Sequence, residues 1–403
     1  MFVWLYALAW GGGVVAYAPF LTLVLPLRVE ALAPDFKVAM LSLIALVGAL
    51  VASVVNILVG VLSDRSVGSV RGRRPWVALG LGLTLASYAL LPFCSTPMTL
   101  LAGVILFQVA LNTMLGTLGA IAADETPDSQ KGFISGAMGA GGALGVVAGV
   151  IVTAWPGAGL GTQLTIITGL VLICVLPFLV ICRRRGPLIT VPEQAPVMVK
   201  RRRQDLARAW IARLLIQVCG GVLFAYLIFY LQTVDRAGVV MRPGDIAGQA
   251  AWLSGAASIA LIPLAVAVGR LSDRSGVRRP FLVGAAALVA VGLVVMALSH
   301  HWAAAFFGYL VFSFGVGLFL TLQNAYAMQL LANSGRRGRD MGILNLTNTL
   351  PAMVATGLAW GFARSGDFSQ VLLILAALAV VAAMLMARVR DQNLLATDDD
   401  SAG

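Results

Sequence analysis

Gly60-Val61-Leu62-Ser63-Asp64-Arg65 and Gly269-Arg270-Leu271-Ser272-Asp273-Arg274 agree at five of six positions and lie 209 residues apart in a chain of 403. Each phrase runs on to two arginines and a proline, Arg73-Arg74-Pro75-Trp76 in the first copy and Arg278-Arg279-Pro280-Phe281 in the second. Each also closes one long apolar run and precedes another. An offset of half the chain implies two copies of a larger unit, and duplicated helical halves with a site between them are a transporter architecture.

The apolar runs around the phrases set the scale. A bilayer core about 30 Å thick takes about 20 apolar residues to cross, and in lipid a helix satisfies its own backbone where an open sheet cannot. Spans are expected near 2–26, 37–62, 76–94, 99–123, 132–154, 163–182, 209–233, 248–271, 281–299, 302–331, 340–363 and 368–388. The fold expected is an all-α membrane protein: twelve transmembrane helices in two pseudo-symmetric six-helix bundles. Residues 1–182 and 209–390 form the halves, 183–208 a cytoplasmic linker, and 391–403, with Asp398-Asp399-Asp400, a disordered tail.

Composition agrees. The chain is 60% apolar and 11% charged, with a mean hydropathy of +0.93, whereas a soluble domain carries about 25% charged residues. The net charge of +11 follows from topology: 23 of the 28 Lys and Arg residues fall in alternate loops on one side. The positive-inside rule makes that side cytoplasmic, with both termini, in a multi-pass protein of the plasma membrane. Nucleic-acid binding is disfavoured, because the basic residues lie between apolar spans rather than on one soluble face. Arg183-Arg184-Arg185 and Lys200-Arg201-Arg202-Arg203 in the linker suit anionic headgroups. Ala16-Tyr17-Ala18 resembles a signal-peptidase site, but no basic segment or short apolar core precedes it, so the segment is kept as the first helix.

The twin loops resemble the signature of the major facilitator superfamily, Gly-x-Leu-x-Asp-Arg followed by Gly and two basic residues. Gly60, Leu62, Asp64, Arg65, Gly72, Arg73 and Arg74 match in the first half, and Gly269, Leu271, Asp273, Arg274, Gly276, Arg278 and Arg279 in the second. The first loop departs from the short pattern: six residues, Ser66 to Arg71, stand where one is usual. That long form looks like the sucrose–proton and glycoside–cation symporter branches, as does Arg339-Asp340-Met341-Gly342-Ile343-Leu344-Asn345 with Asn348-Thr349-Leu350-Pro351. The resemblance implies alternating access and proton coupling, with a proton as the only cofactor-like partner, a small-molecule solute, and function as a monomer.

The loop's physical role can be argued separately. Asp64 and Asp273 sit at helix ends among arginines, where a carboxylate can pair with Arg or cap a neighbouring helix N-terminus. Glycines near a helix end allow close approach. The expected gate comprises Gly60, Asp64, Arg65, Arg73, Arg74, Gly269, Asp273, Arg274, Arg278 and Arg279, latched in the outward-open state and released in the inward-open one. Plain positive-inside topology is the alternative, and it explains the arginines but not the repeated order.

No Asp, Glu, Lys or Arg falls near the centre of a predicted span. Intramembrane ionisable groups mark ion pathways, so this speaks against a strongly charged solute. The nearest carboxylates, Glu30, Asp35, Asp124 and Glu125, are candidate coupling groups, with ordinary helix-end placement as the alternative. Neutral polar residues are the expected cavity lining: Gln108 and Asn112 four apart on one face, Gln217, Tyr226 and Tyr230, Gln323 and Asn324, and Asn345 with Asn348. Interhelical hydrogen bonding is their alternative role. Tyr6, Trp10 and Tyr17 are weaker candidates.

Other chemistry is not indicated. Cys94, Cys174, Cys182 and Cys219 lie in or beside apolar runs without metal-ligand spacing, and the two histidines, His300 and His301, have no third ligand in view. There is no phosphate-binding Gly-Lys-Ser/Thr loop and no nucleophile–base set, so neither ATP-driven pumping nor an enzyme is expected. Drug exporters of the superfamily carry a Gly-Pro pair in the fifth helix and an arginine in the fourth. Here Gly136 to Gly149 include no proline and 99–123 no arginine. The function expected is secondary transport of a small neutral or amphipathic solute, sugar-like in the first instance. The alternatives are a proton-driven drug or natural-product exporter and, in another class, a non-transporting sensor or partner subunit.

Overall fold

The computed structural model describes residues 1–127, 130–154, 159–182, 196–234, 245–330, 336–362 and 368–389. Helices dominate: α1 Phe2–Pro19, α2 Leu25–Leu32, α3 Lys37–Asp64, α4 Arg74–Leu90, α5 Pro97–Glu125, α6 Lys131–Thr153 and α7 Leu160–Ile181. After the connection come α8 Pro196–Thr233, α9 Asp245–Ser275, α10 Arg279–Leu298, α11 Trp302–Leu330, α12 Arg337–Phe362 and α13 Phe368–Ala387. Among the described residues, 11 helical segments are long and apolar enough to cross a membrane, and α1 with α2 counts as one of them, Phe2–Leu32. α12 is a further long helix, with a charged first turn.

The helices follow the expected spans, with one difference. α8 begins at Pro196, so Lys200 to Arg208, read from sequence as connection, continue the helix. Leu, Ala, Arg, Gln and Lys in this stretch are good helix formers, Pro suits a helix start, and Asp205 pairs with Arg208 at 2.9 Å within one turn. Residues 183–195 and the acidic tail 391–403 lie outside the described residues.

The chain gathers into two compact units. One takes the described residues of Met1–Pro127, Ala140–Pro192 and Leu331–Thr349, and the other those of Asp128–Gly139, Glu193–Leu330 and Leu350–Gly403. These differ from the sequence halves, 1–182 and 209–390, by exchanging the starts of α6 and α12.

In the first unit, Pro19 has no N–H to give the helix, and a π-helical turn, Phe20–Val24, follows it. The Tyr88 hydroxyl donates to the Ala16 carbonyl beside this turn. Phe20, Tyr88 and Phe107 pack ring against ring, with centroids 4.7 to 5.7 Å apart, tying α4 and α5 to the bulge. The second unit has a core of α8, α10, α11 and α13 side chains, among them Leu223, Leu282, Leu293, Phe319 and Met386.

Candidate functional site

The loop of the first phrase is built around one left-handed residue. Gly72 has φ 57°, and its counterpart Gly276 has φ 67°, a conformation that only glycine adopts without strain. It turns the chain so that Arg73 and Arg278 point back at the helix just ended. The six residues that stand in the first loop where the second has one are taken up as successive tight turns, with Ser69 N–H on the Ser66 carbonyl and Gly72 N–H on the Ser69 carbonyl. Arg73 therefore reaches its aspartate across nine positions as Arg278 does across five.

Asp64, at the end of α3, accepts the backbone N–H groups of Gly338 at 2.8 Å and Arg339 at 3.1 Å. These belong to the first turn of α12, whose N–H groups have no partner within the helix and carry its positive dipole end. Arg336, which precedes α12, is no capping residue, so the cap comes from α3. The approach requires two glycines: a Cβ on Gly60 would stand 2.5 Å from the Gly338 carbonyl carbon.

A buried ion cluster surrounds this cap. Arg73, 3% exposed, donates to Asp64 at 2.7 Å, to Ser63 Oγ at 2.7 Å and to Asp124 at 2.8 Å. Arg337 reaches the other oxygen of Asp124 at 3.1 Å. Arg74 forms a two-pronged pair with Glu125 at 2.7 and 2.9 Å, donates to the Cys182 carbonyl and lies over the Phe178 ring. The two acidic residues at the end of α5 are thus members of this ion cluster. Glu30 and Asp35 are exposed, and Glu30 pairs with Lys37.

The second phrase repeats the cap with other residues. Asp273, at the end of α9, accepts Gly132 N–H at 3.1 Å and Phe133 N–H at 3.0 Å from the first turn of α6, and it pairs with Arg278. Lys131, fully buried, donates to the Met328 carbonyl on α11. Gly269 lies against Gly132, a Cβ there standing 3.0 Å from its carbonyl oxygen. Arg65, Arg274 and Arg279, predicted from sequence as gate residues, are exposed, while Arg73 and Arg278 pair with Asp64 and Asp273. Sequence reasoning missed Gly338, Gly132, Arg337 and Lys131, although Lys131-Gly132 and Arg337-Gly338 are themselves a basic-glycine pair repeated at two helix starts.

Four predicted amides join a chain in the first unit. Asn348 Nδ2 donates to Asn345 Oδ1 at 3.3 Å, Asn345 to Asn56 at 3.2 Å, Asn56 to Asn112 at 2.8 Å, and Asn112 to the Gln108 side chain at 3.1 Å. Asn56, only 4% exposed, was missed because it stands alone among apolar residues of its span.

The remaining lining candidates divide. Tyr230 is buried, with its hydroxyl on the Met296 carbonyl, and belongs to the core of the second unit rather than to a lining. The Tyr226 side chain lies outside the described residues. Gln323 is fully buried and donates to the Ala209 carbonyl. Gln323 and Asn324 both accept Nη1 of Arg213 at 2.6 Å. Arg213 is 5% exposed and stands four residues inside the span expected at 209–233. Gln217, one turn on, is half-buried.

The sequence model of the Major Facilitator Superfamily matches residues 3–242 and 244–400. The chain belongs to the Major Facilitator Superfamily. It is a multi-pass membrane transporter of small-molecule solutes and not an enzyme, and it has the all-helical fold of the superfamily. Solved structures of superfamily transporters share that fold at low identity. The human organic anion transporter MFSD10 (TETRAN) superposes with a TM-score of 0.75 at 14% identity, over 95% of this chain and 98% of that one. A bacterial homologue of the iron transporter ferroportin, in an outward-facing state, gives 0.70 at 16% identity, over 96% and 99%. FucP in the outward conformation, from the fucose:proton symporter of E. coli, gives 0.69 at 13% identity, over 96% and 98%. No curated protein matches the sequence.

Proposed function

We propose that this superfamily member is a secondary active transporter working by alternating access, with the Asp64 and Asp273 caps as its reversible latches. The observation that carries this reading is the twin cap: each repeated aspartate holds the first turn of a helix from the other half of the sequence. A charge at a helix start contributes about 0.3–2 kcal/mol, enough to bias two arrangements that differ by a few kcal/mol without locking either. The basic residues of both clusters belong to the loops that the positive-inside rule assigns to the cytoplasm. The caps therefore close the cytoplasmic ends of α3 and α9, with both termini on that side of the plasma membrane. Lys200 to Arg203 lie against anionic headgroups, and the chain works as a monomer.

The solute is a small neutral or amphipathic molecule, with hydroxyl-bearing, sugar-like compounds favoured because the amide chain offers neutral donors and acceptors. Proton coupling follows from the resemblance to proton symporters, and Asp124 and Glu125 are the carboxylates placed to sense it at the gate. A second reading, an organic anion with an apolar body, is favoured by Arg213 within α8. Export of drugs or natural products uses the same latches in the opposite direction.

Counterflow in proteoliposomes tests these readings, with labelled sucrose and L-fucose against a labelled aromatic carboxylate, and cationic-dye efflux alongside. Sugar counterflow that collapses with a proton ionophore under uphill conditions supports the first reading. Carboxylate counterflow lost in Arg213→Gln supports the second. Protein that moves no solute in this panel, yet retains a stable partner, would be a sensor and would overturn transport by this chain.

A further inference from the structure

The amide chain has a direction. Asn56 Nδ2 also donates to the Ala52 carbonyl at 2.8 Å, and Asn112 Nδ2 to the Gln108 carbonyl at 2.8 Å. A carbonyl only accepts, so these bonds fix which end of each amide is nitrogen. The oxygen of Asn56 must then face α12, and the oxygen of Asn112 must face Asn56. Every side-chain N–H from Asn348 to Asn112 points the same way along the chain, and bonds aligned head to tail polarise one another. The chain ends in the amide of Gln108, whose oxygen is an acceptor and whose Nε2 is left to donate.

Asn56 is the joint of this chain. It is the member on α3, and it bonds to α5 on one side and to α12 on the other. It lies one turn before Gly60, where α3 meets the start of α12 backbone to backbone, and a Cβ on Gly342 of α12 would stand 2.7 Å from the Asn56 carbonyl carbon. Both hydrogens of its amide are committed, and its oxygen accepts from Asn345. Withdrawal of α12 from α3 therefore strips Asn56 of its donor and leaves a buried amide oxygen to be satisfied otherwise, which costs free energy in a dry site.

We infer that Asn56 is a positioning residue that couples closure of α3 on α12 to the orientation of the Gln108–Asn112 amides. This rests on the proposal that those two amides contact solute, and it assigns a specific side chain to the link between the latch and the solute site. With α12 in place, Asn56 holds Asn112, and Asn112 turns the Gln108 nitrogen outward as a donor. With α12 away, that constraint is relaxed, so the two access states present different amide geometry to the same solute.

The test needs no solute. Ser53 Oγ and Thr349 Oγ1 lie 2.6 Å apart across α3 and α12, outside the amide chain. The pair Ser53→Cys/Thr349→Cys, in a full-length chain whose four native cysteines are alanine, reports closure by its rate of disulfide formation in nanodiscs. Asn112→Ala is expected to change that rate roughly threefold, the scale of one interhelical hydrogen bond in a membrane protein. In an Asn56→Leu background the same Asn112→Ala change is expected to leave the rate unaltered. Equal effects of Asn112→Ala in both backgrounds, or none in either, would overturn the inference. Asn345→Ala cuts the chain on the α12 side, and should abolish the Asn112 effect in the same way if Asn56→Leu does not assemble. Sucrose counterflow separates the two proposals: a coupled cross-link rate with no affinity change in Gln108→Ala or Asn112→Ala keeps the coupling and removes the solute contact.

Discussion

At the end of α3, three arginines and three carboxylates interlock around the start of α12; at the end of α9, the same phrase holds the start of α6 through one carboxylate and one arginine. The two caps match bond for bond, with Asp64 and Asp273 each accepting two consecutive N–H groups. What differs is the neighbouring helix. α5 ends in Asp124 and Glu125, and in the second copy Lys131 donates to the carbonyl of Met328 on α11. The repeat therefore specifies a contact, and its surroundings specify how firmly that contact is held. A buried ion network is costly to disrupt by parts, because each lost member strands the charge of another.

Three experiments break or sharpen this contrast. The largest effect is expected for Asp124→Ala, which leaves buried Arg73 and Arg337 without the carboxylate they share and should cost about 3–5 kcal/mol. A drop in the thermal midpoint of the purified protein reads this. If Asp273→Ala lowers the midpoint as much, the first cluster is not the stronger one. Next come the repeat-mates Arg74 and Arg279. Arg74→Ala removes a buried two-pronged pair with Glu125 and should cost about 1.5–3 kcal/mol. The exposed Arg279, changed to alanine, should stay within about 0.5 kcal/mol of wild type. Equal losses on denaturation would show that the pairing in the first loop is idle. The smallest effect compares the caps themselves. Asp64→Asn keeps an oxygen for the α12 N–H groups but loses the charge, so initial transport rates should fall about tenfold, a loss of about 1.4 kcal/mol on the scale of a charge-assisted bond. Asp273→Asn removes the same charge from a cap with the same kinds of partner and should fall about as far. Normal rates in Asp64→Asn, with insertion intact, would remove the latch.

The fold was legible because its signal is length. Twenty-residue apolar runs admit one backbone solution in lipid, and alternation of basic loops counts the crossings. α8 was misjudged at its start because Lys200 to Arg208 are charged yet helix-forming, and hydropathy sees only the charge. The gate was legible in part. Gly60, Asp64, Gly269 and Asp273 stand out because they are written twice. Their partners on α6 and α12 are marked only by the short basic-glycine pairs Lys131-Gly132 and Arg337-Gly338, since a backbone N–H itself leaves no mark in the sequence. Among the amides, pairs on one helix such as Gln108 and Asn112 could be read from spacing, whereas single Asn56 could not.

The sequence by itself determined the helices, their number, the side on which charge collects and the duplication, because each depends on chemistry within a segment: apolar length, helix propensity and repeated order. Only the tertiary structure decided which helix start each aspartate caps, that Asp124 pairs with Arg73 and Arg337, that Arg213 is buried against two amides, and that Asn56 links α5 to α12. These are contacts between residues 50 to 290 positions apart, and no local rule of spacing reaches across such distances; packing brings the groups together, and burial then obliges each polar atom to find a partner.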